Sequence, residues 1–332
     1  MMRFFLTIII SFVISVSAYA QFQINSPFDR QTEFEIHSDY KKHPHIKPLF
    51  YPDTVIGANS YKIEDSTRVS FGNNGRFLSL LPVFSTTQSY DLQNRFYSYD
   101  YKTGAYLKGR LDNHIFLNLI YFYGWNKPDD FLSSLTDSLH VVSGFGKVIK
   151  SKKSHYRYDN FIGSLIYRPE NYIYFEIGNS KHFIGDGYRS LLLSDFASPY
   201  PYFKTTVEVW KVKYFYMIAR QKDYDFRIEN QSFTTKYTFT HCLSFNIGKR
   251  LNFSMFETLV TSPYDSLLAN RGIDVNYLNP VIFLRSVEFS LGSPDNVLVG
   301  FLGHLKIFKS SMLYGQIFVD EFILSHILSK EE

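Results

Sequence analysis

The chain has 332 residues, with 35 Lys and Arg against 31 Asp and Glu and a formal net charge of +4. So small an excess argues against nucleic acid as a partner, and a single cysteine excludes an intramolecular disulfide scaffold. The 33 Phe and 26 Tyr against 2 Trp suit strands with one face toward hydrocarbon better than the Ala- and Leu-rich helices of a soluble α/β enzyme. The length fits either two soluble domains or one barrel.

The first predicted element is an export signal over residues 1–20. Arg3 supplies the positive start, residues 4–16 an apolar run interrupted only by Thr7, Ser11 and Ser15, and Ala18-Tyr19-Ala20 a small-x-small cleavage site. A spanning helix needs about 20 apolar residues, so this run is too short to be one. Residues 21–74 form a polar N-terminal segment outside the barrel, partly periplasmic or lumenal. Its His37, His43 and His45 raise the question of a metal, but three histidines in a loop lack the convergent ligands that zinc requires. A solvated segment is therefore expected there, with no metal and no cofactor. Pro44 and Pro48 favour an extended path.

Residues 75–332 are predicted to supply strands and loops. The interval 126–156 reads as a long loop holding a short amphipathic helix over 128–139, with Leu132, Leu135 and Leu139 on one side. Arg168-Pro-Glu-Asn171 is a turn before a strand that sets Ile173, Phe175 and Ile177 against Tyr172, Tyr174 and Glu176. From Trp210, the residues Val212, Tyr214, Tyr216 and Ile218 suit lipid, while the opposite face begins at Lys211 and Lys213. The interval 221–235 reads as another loop. Tyr237, Phe239, Leu243, Phe245 and Ile247 then oppose Thr238, Thr240, Cys242, Ser244 and Asn246, with His241 misplaced on the apolar face. After a turn at 248–252, Val297, Val299, Phe301, Leu305 and Ile307 oppose Asn296, Gly300, His304 and Lys306, and 309–311 is the next turn.

Between two strand-like runs lies the segment 178–202, whose Gly178, Gly185 and Gly187 permit backbone geometries that other residues resist. Lys181, His182, Asp186 and Arg189 with Tyr188, Tyr200 and Tyr202 provide the hydrogen-bonding and aromatic groups that a sugar requires, and Lys181 and Arg189 suit an acidic one. Alternatively, Asp186 and Arg189 pair with each other to lock the loop. Lys211, Lys213 and Lys306 are either ligand contacts or solvated lumen wall. An enzyme is not expected. Gly185-Asp-Gly187 lacks the strand-to-helix setting of a phosphate cradle, and no Gly-x-Ser-x-Gly or His-Glu-x-x-His is present. A hydrolase with Ser190 or Ser194 as nucleophile and His182 as base is the weaker reading.

The series Gly178, Gly185, Gly187, Leu191-Leu-Leu-Ser194 and Pro199-Tyr-Pro-Tyr202 resembles the signature of the Wzi-like capsule-assembly outer-membrane barrel family. So does a second block, Tyr277-Leu-Asn-Pro280, Phe283, Arg285, Asp295-Asn296, Gly300, Tyr314-Gly-Gln316 and Asp320-Glu-Phe322, in the flavour of Bacteroidetes members associated with gliding motility. Together the blocks cover about a third of the chain. The resemblance implies an all-β fold, a transmembrane antiparallel β-barrel of the outer membrane with about eighteen strands. It also implies a non-catalytic lectin that holds capsular or other surface polysaccharide. About eleven or twelve alternating runs are countable, and the last residues, Leu328-Ser-Lys-Glu-Glu332, lack a terminal aromatic. Both features fit either a barrel incomplete at its C-terminus or one that completes itself unusually. The partners expected are surface or capsular polysaccharide and outer-membrane lipid. An outer-membrane component of gliding motility or protein secretion machinery, bound to its subunits, is the second reading. A diffusion channel or barrel hydrolase is the third.

Overall fold

Strand-forming alternation dominates the computed structural model, which describes residues 43, 45–47, 68–71, 76–92, 95–152, 154–187, 190–194, 197–228, 232–261, 272–283, 295–308 and 311–320. The expected signal peptide, His37, Tyr188 and Arg189 lie outside the described residues. Two compact units are present, one built around residues 49–163 and the other from 30–48 with 164–332.

In the first unit β2 (Arg68–Phe71), β3 (Arg76–Asp91), β4 (Phe96–Asp112), β5 (Ile115–Lys127) and the first half of β8 (His155–Glu170) are consecutive neighbours in one sheet. The sheet thus begins at Arg68, ahead of position 75. A helix α1 (Asp130–Leu139) and a hairpin of β6 (Val141–Val142) and β7 (Gly146–Lys152) occupy the interval predicted as a loop with a helix. Asp129 starts α1 by accepting from the Leu132 N–H at 2.8 Å. The residues α1 buries are Ser133 and Thr136, whereas Leu132, Leu135 and Leu139 are only half-buried. Small side chains let the helix backbone come close enough for the Tyr156 hydroxyl to donate to the Ser133 carbonyl and to Asp137. The core beneath consists of Ile120, Phe122, Val142, Tyr156, Tyr158 and Ile162.

The second unit takes the rest of β8, then β9 (Ile173–Ser180), β11 (Tyr200–Val209), β12 (Val212–Ile228), β13 (Ser232–Ile247), β14 (Leu251–Val260), β15 (Asn296–Lys306) and β16 (Met312–Asp320), each antiparallel to the next. A separate two-stranded ladder joins β1 (Ile46–Lys47) to β10 (Phe183–Ile184). The interval 221–235 is not the expected loop. Strands β12 and β13 continue through it as a hairpin, with a register shift between Asp223 and Arg227. Polar composition hid this, because a ladder is closed by backbone groups whatever the side chains meet. Among the described residues the sheet is open, with β2 and β16 each paired on one side only.

Each unit has the same division of faces. In the first, the covered face holds Ser79, Lys108, Asn118 and Asn160, while Leu80, Phe84, Tyr121, Trp125 and Phe161 are exposed. In the second, Thr206, Thr238, Thr240, Ser244, Asn246, Asn252 and Ser254 are buried, and Ile177, Phe203, Ile247, Leu305, Leu313 and Ile317 are exposed. The covered face of each unit thus carries polar side chains among its apolar core residues, while large apolar and aromatic side chains lie exposed on the other.

Candidate functional site

Residues 181–199 form an excursion between two paired strands. Tyr202 stands opposite Gly178 and Tyr200 opposite Ser180, so the strands on either side are adjacent and the intervening chain folds over the covered face of the second unit. The excursion is held by its own backbone. Ile184 N–H donates to the Leu193 carbonyl at 2.9 Å, Gly185 N–H to the His45 carbonyl at 2.9 Å, and the Ser190 hydroxyl to the Ile184 carbonyl. Ile184, Leu192, Leu193 and Ile46 pack with Tyr200, Tyr202, Phe215, Met217, Cys242, Phe256 and Leu302. Ser190 is thus a structural hydroxyl, bonded to main chain in the described structure.

Two glycines are required at the bend. Gly185 has φ +136° and Gly187 φ +79°, both in the region L side chains avoid. A Cβ on Gly185 would collide with Gln316 Nε2 and Ser190 Oγ, and one on Gly187 with the Tyr314 hydroxyl. Gln316 Oε1 also accepts the Leu191 N–H at 2.9 Å. The two sequence blocks that carried the resemblance therefore touch, with Tyr314 and Gln316 of the second supporting the loop of the first.

At the centre of the bend, Asp186 is 1% exposed. Its Oδ2 lies 2.8 Å from His45 Nε2 and its Oδ1 3.4 Å from His304 Nδ1. The three residues, from β1's approach, the loop and β15, present ligand atoms all within 4.8 Å of one another. Burial by itself would raise the Asp186 carboxyl, but the hydrogen bonds and charge of His304 and His45 outweigh it and hold the group below the usual carboxylate range. His45 and His43 are buried, contrary to the solvated segment expected for them. His43 Nδ1 meets Ser244 Oγ at 2.8 Å and His45 Nδ1 meets Ser254 Oγ at 2.7 Å. Burial, with Lys213 nearby, lowers the His43 imidazole to about 4. Nothing in the His-x-His spacing announced these partners, which lie on β13 and β14.

The remaining sequence-derived residues separate. His182, Tyr200 and Tyr202 are buried together, with the His182 ring at 4.3 Å from Tyr202 and its Nδ1 3.2 Å from the Tyr200 hydroxyl. Burial holds His182 well below the ordinary histidine value. Tyr202 donates to Glu176, which also pairs with Lys204 at 2.6 Å; neither Glu176 nor Lys204 was among the expected residues. Lys181 is half-buried at the start of the excursion. Lys213 pairs with Glu208 at 3.2 Å on the covered face. Lys211 lies apart from the excursion. It occupies the turn after β11, its ammonium 4.7 Å from the Trp210 ring centre, about 30 Å along the strand from Tyr200.

The His182, Asp186, Tyr200 and Tyr202 side chains are thus committed to internal packing and offer almost no accessible surface to a polymer. A partly exposed aromatic set exists on β4 instead, with Tyr97 exposed and Tyr99 and Tyr101 half-buried. Tyr99 stacks on Tyr101 at 4.8 Å, Tyr97 lies 6.0 Å from Tyr99, and Gln88 of β3 donates to the Tyr101 hydroxyl at 3.0 Å. No protein-family model matches this chain, and no curated protein matches it.

Proposed function

We propose that this chain is an outer-membrane β-barrel protein that binds or anchors surface polysaccharide without catalysis. The observation that carries the membrane part is the set of large apolar and aromatic side chains exposed along the strands, with Ser, Thr, Asn and charged pairs among the covered residues. A bilayer rewards that arrangement and water penalises it. Tyr121, Tyr123 and Trp125 beside the Tyr97, Tyr99 and Tyr101 stack fit an interfacial aromatic girdle. The polysaccharide part rests on the family resemblance of 178–202, with the partly exposed tyrosines of β4 as a sugar-facing surface. Stacked rings beside amide and hydroxyl groups match the apolar faces and hydroxyls of a sugar.

Proteoliposomes of the full chain test both parts. Resistance to alkaline extraction and a heat-dependent shift in electrophoretic mobility are expected, together with co-sedimentation of polysaccharide from the native host surface. A chain that remains soluble without detergent defeats the membrane reading. Insertion without polysaccharide retention defeats the lectin reading and favours a machinery component.

A further inference from the structure

The geometry points to a buried divalent transition-metal centre of the zinc class, held by His45, Asp186 and His304. Two imidazoles and a carboxylate form a donor set suited to zinc and its first-row neighbours. One ligand atom from each lies within 4.8 Å of the others, with nearest contacts of 2.8 Å and 3.4 Å to the two carboxylate oxygens, so a small shift brings all three onto one ion. The rings of His45 and His304 are edge-on to each other, at 77° and 6.1 Å, so both approach Asp186 without stacking.

The surroundings of His45 support the assignment. His45 Nδ1 meets the Ser254 hydroxyl at 2.7 Å, and Ser254 reaches Asn252 Oδ1 at 3.3 Å, so the ring is held by its other nitrogen while Nε2 faces the Asp186 carboxylate at 2.8 Å. Ordering of a ligand imidazole through its other nitrogen is the usual outer-shell device of metal sites. With exposures of 0%, 1% and 5%, the site has little room for substrate, and the ion's role is structural. It ties residues 45–47 and the Gly-Asp-Gly bend to the wall at β15.

The test uses the full chain without a histidine tag, stripped with EDTA in detergent and then given Zn2+ or Co2+. Elemental analysis should find about one Zn2+ per chain after dialysis, and Co2+ should give visible d–d absorption at the same stoichiometry. EDTA should lower the thermal unfolding temperature reversibly. Asp186→Asn and His304→Ala should abolish retention. Ser254→Ala, which spares all three ligands, should fold and weaken Zn2+ binding about tenfold. A wild-type chain that retains neither ion and unfolds at the same temperature with and without EDTA overturns the assignment in favour of a purely hydrogen-bonded cluster. Binding that is equally strong in Ser254→Ala and His304→Ala overturns it as well.

Discussion

At the residue scale, the Gly-rich bend is decided by sterics and buried charge. Gly187→Ala forces a positive φ on a side chain and drives its Cβ into the Tyr314 hydroxyl, so a loss of about 1–3 kcal/mol is expected; denaturant titration of the heat-modifiable form measures it. Gly248→Ala, at φ +67° with nothing near its Cβ, should cost only the backbone term and separates the two effects. His182 provides the pH dependence. Its folded value lies below the unfolded value of about 6.5, so the unfolded chain binds more protons below that pH. Stability from His182 is therefore full above about pH 6.5 and falls by up to about 1.4 kcal/mol per pH unit on acidification. The groups around it are Tyr200, Tyr202 and Lys204. His182→Gln should flatten the acid limb of the stability profile, and an unchanged limb would assign it to other groups.

At the element scale, the two motif blocks act as one, because β16 supplies the ledge on which Gly185, Gly187 and Leu191 rest. The structure also accounts for the histidine that broke the alternation of β13. A short 3-10 helix at Val275–Leu278 and the chain after it lie against that stretch of the face. The Tyr214 hydroxyl bonds to His241 Nδ1 at 2.7 Å and to the Pro280 carbonyl, while the Tyr216 hydroxyl donates to the Tyr277 carbonyl at 2.8 Å. His241 is therefore covered by protein and satisfied, not exposed to hydrocarbon. On β4, the partly exposed stack separates a lectin from a mere girdle. Replacing Tyr99 and Tyr101 together by Ser should cut polysaccharide retention by about tenfold, at about 0.5–1.5 kcal/mol per aromatic contact, with membrane insertion intact. Loss of insertion with unchanged retention per inserted molecule would assign the rings to the bilayer interface alone.

At the scale of the whole molecule, the outward apolar face distinguishes a membrane protein from a water-soluble sheet in one measurement. Phe161 and Ile177 are 46% and 58% exposed, so in water Phe161→Arg and Ile177→Arg would be nearly neutral surface changes. In a bilayer each should cost about 2–4 kcal/mol near the midplane, seen as a lower folded fraction in lipid vesicles. Ser85→Arg, on the exposed stretch of β3 beyond the buried residues, serves as the control with little effect.

Period-two alternation of Phe and Tyr with small polar residues determined the all-β class and most strand positions, because a strand's two sides are written two residues apart. The helix at 130–139 was legible from its leucines, though the face it buries was not, since close packing on Tyr156 selected Ser133 and Thr136. The sequence also marked 178–202 as special through its glycines. Only the tertiary structure decided what the segment does. His45, Asp186 and His304 share no local pattern, and they meet because one strand of two residues docks beside Ile184 while β15 forms the wall behind. A buried carboxylate selects its partners by distance through space, which the order of residues along the chain does not encode.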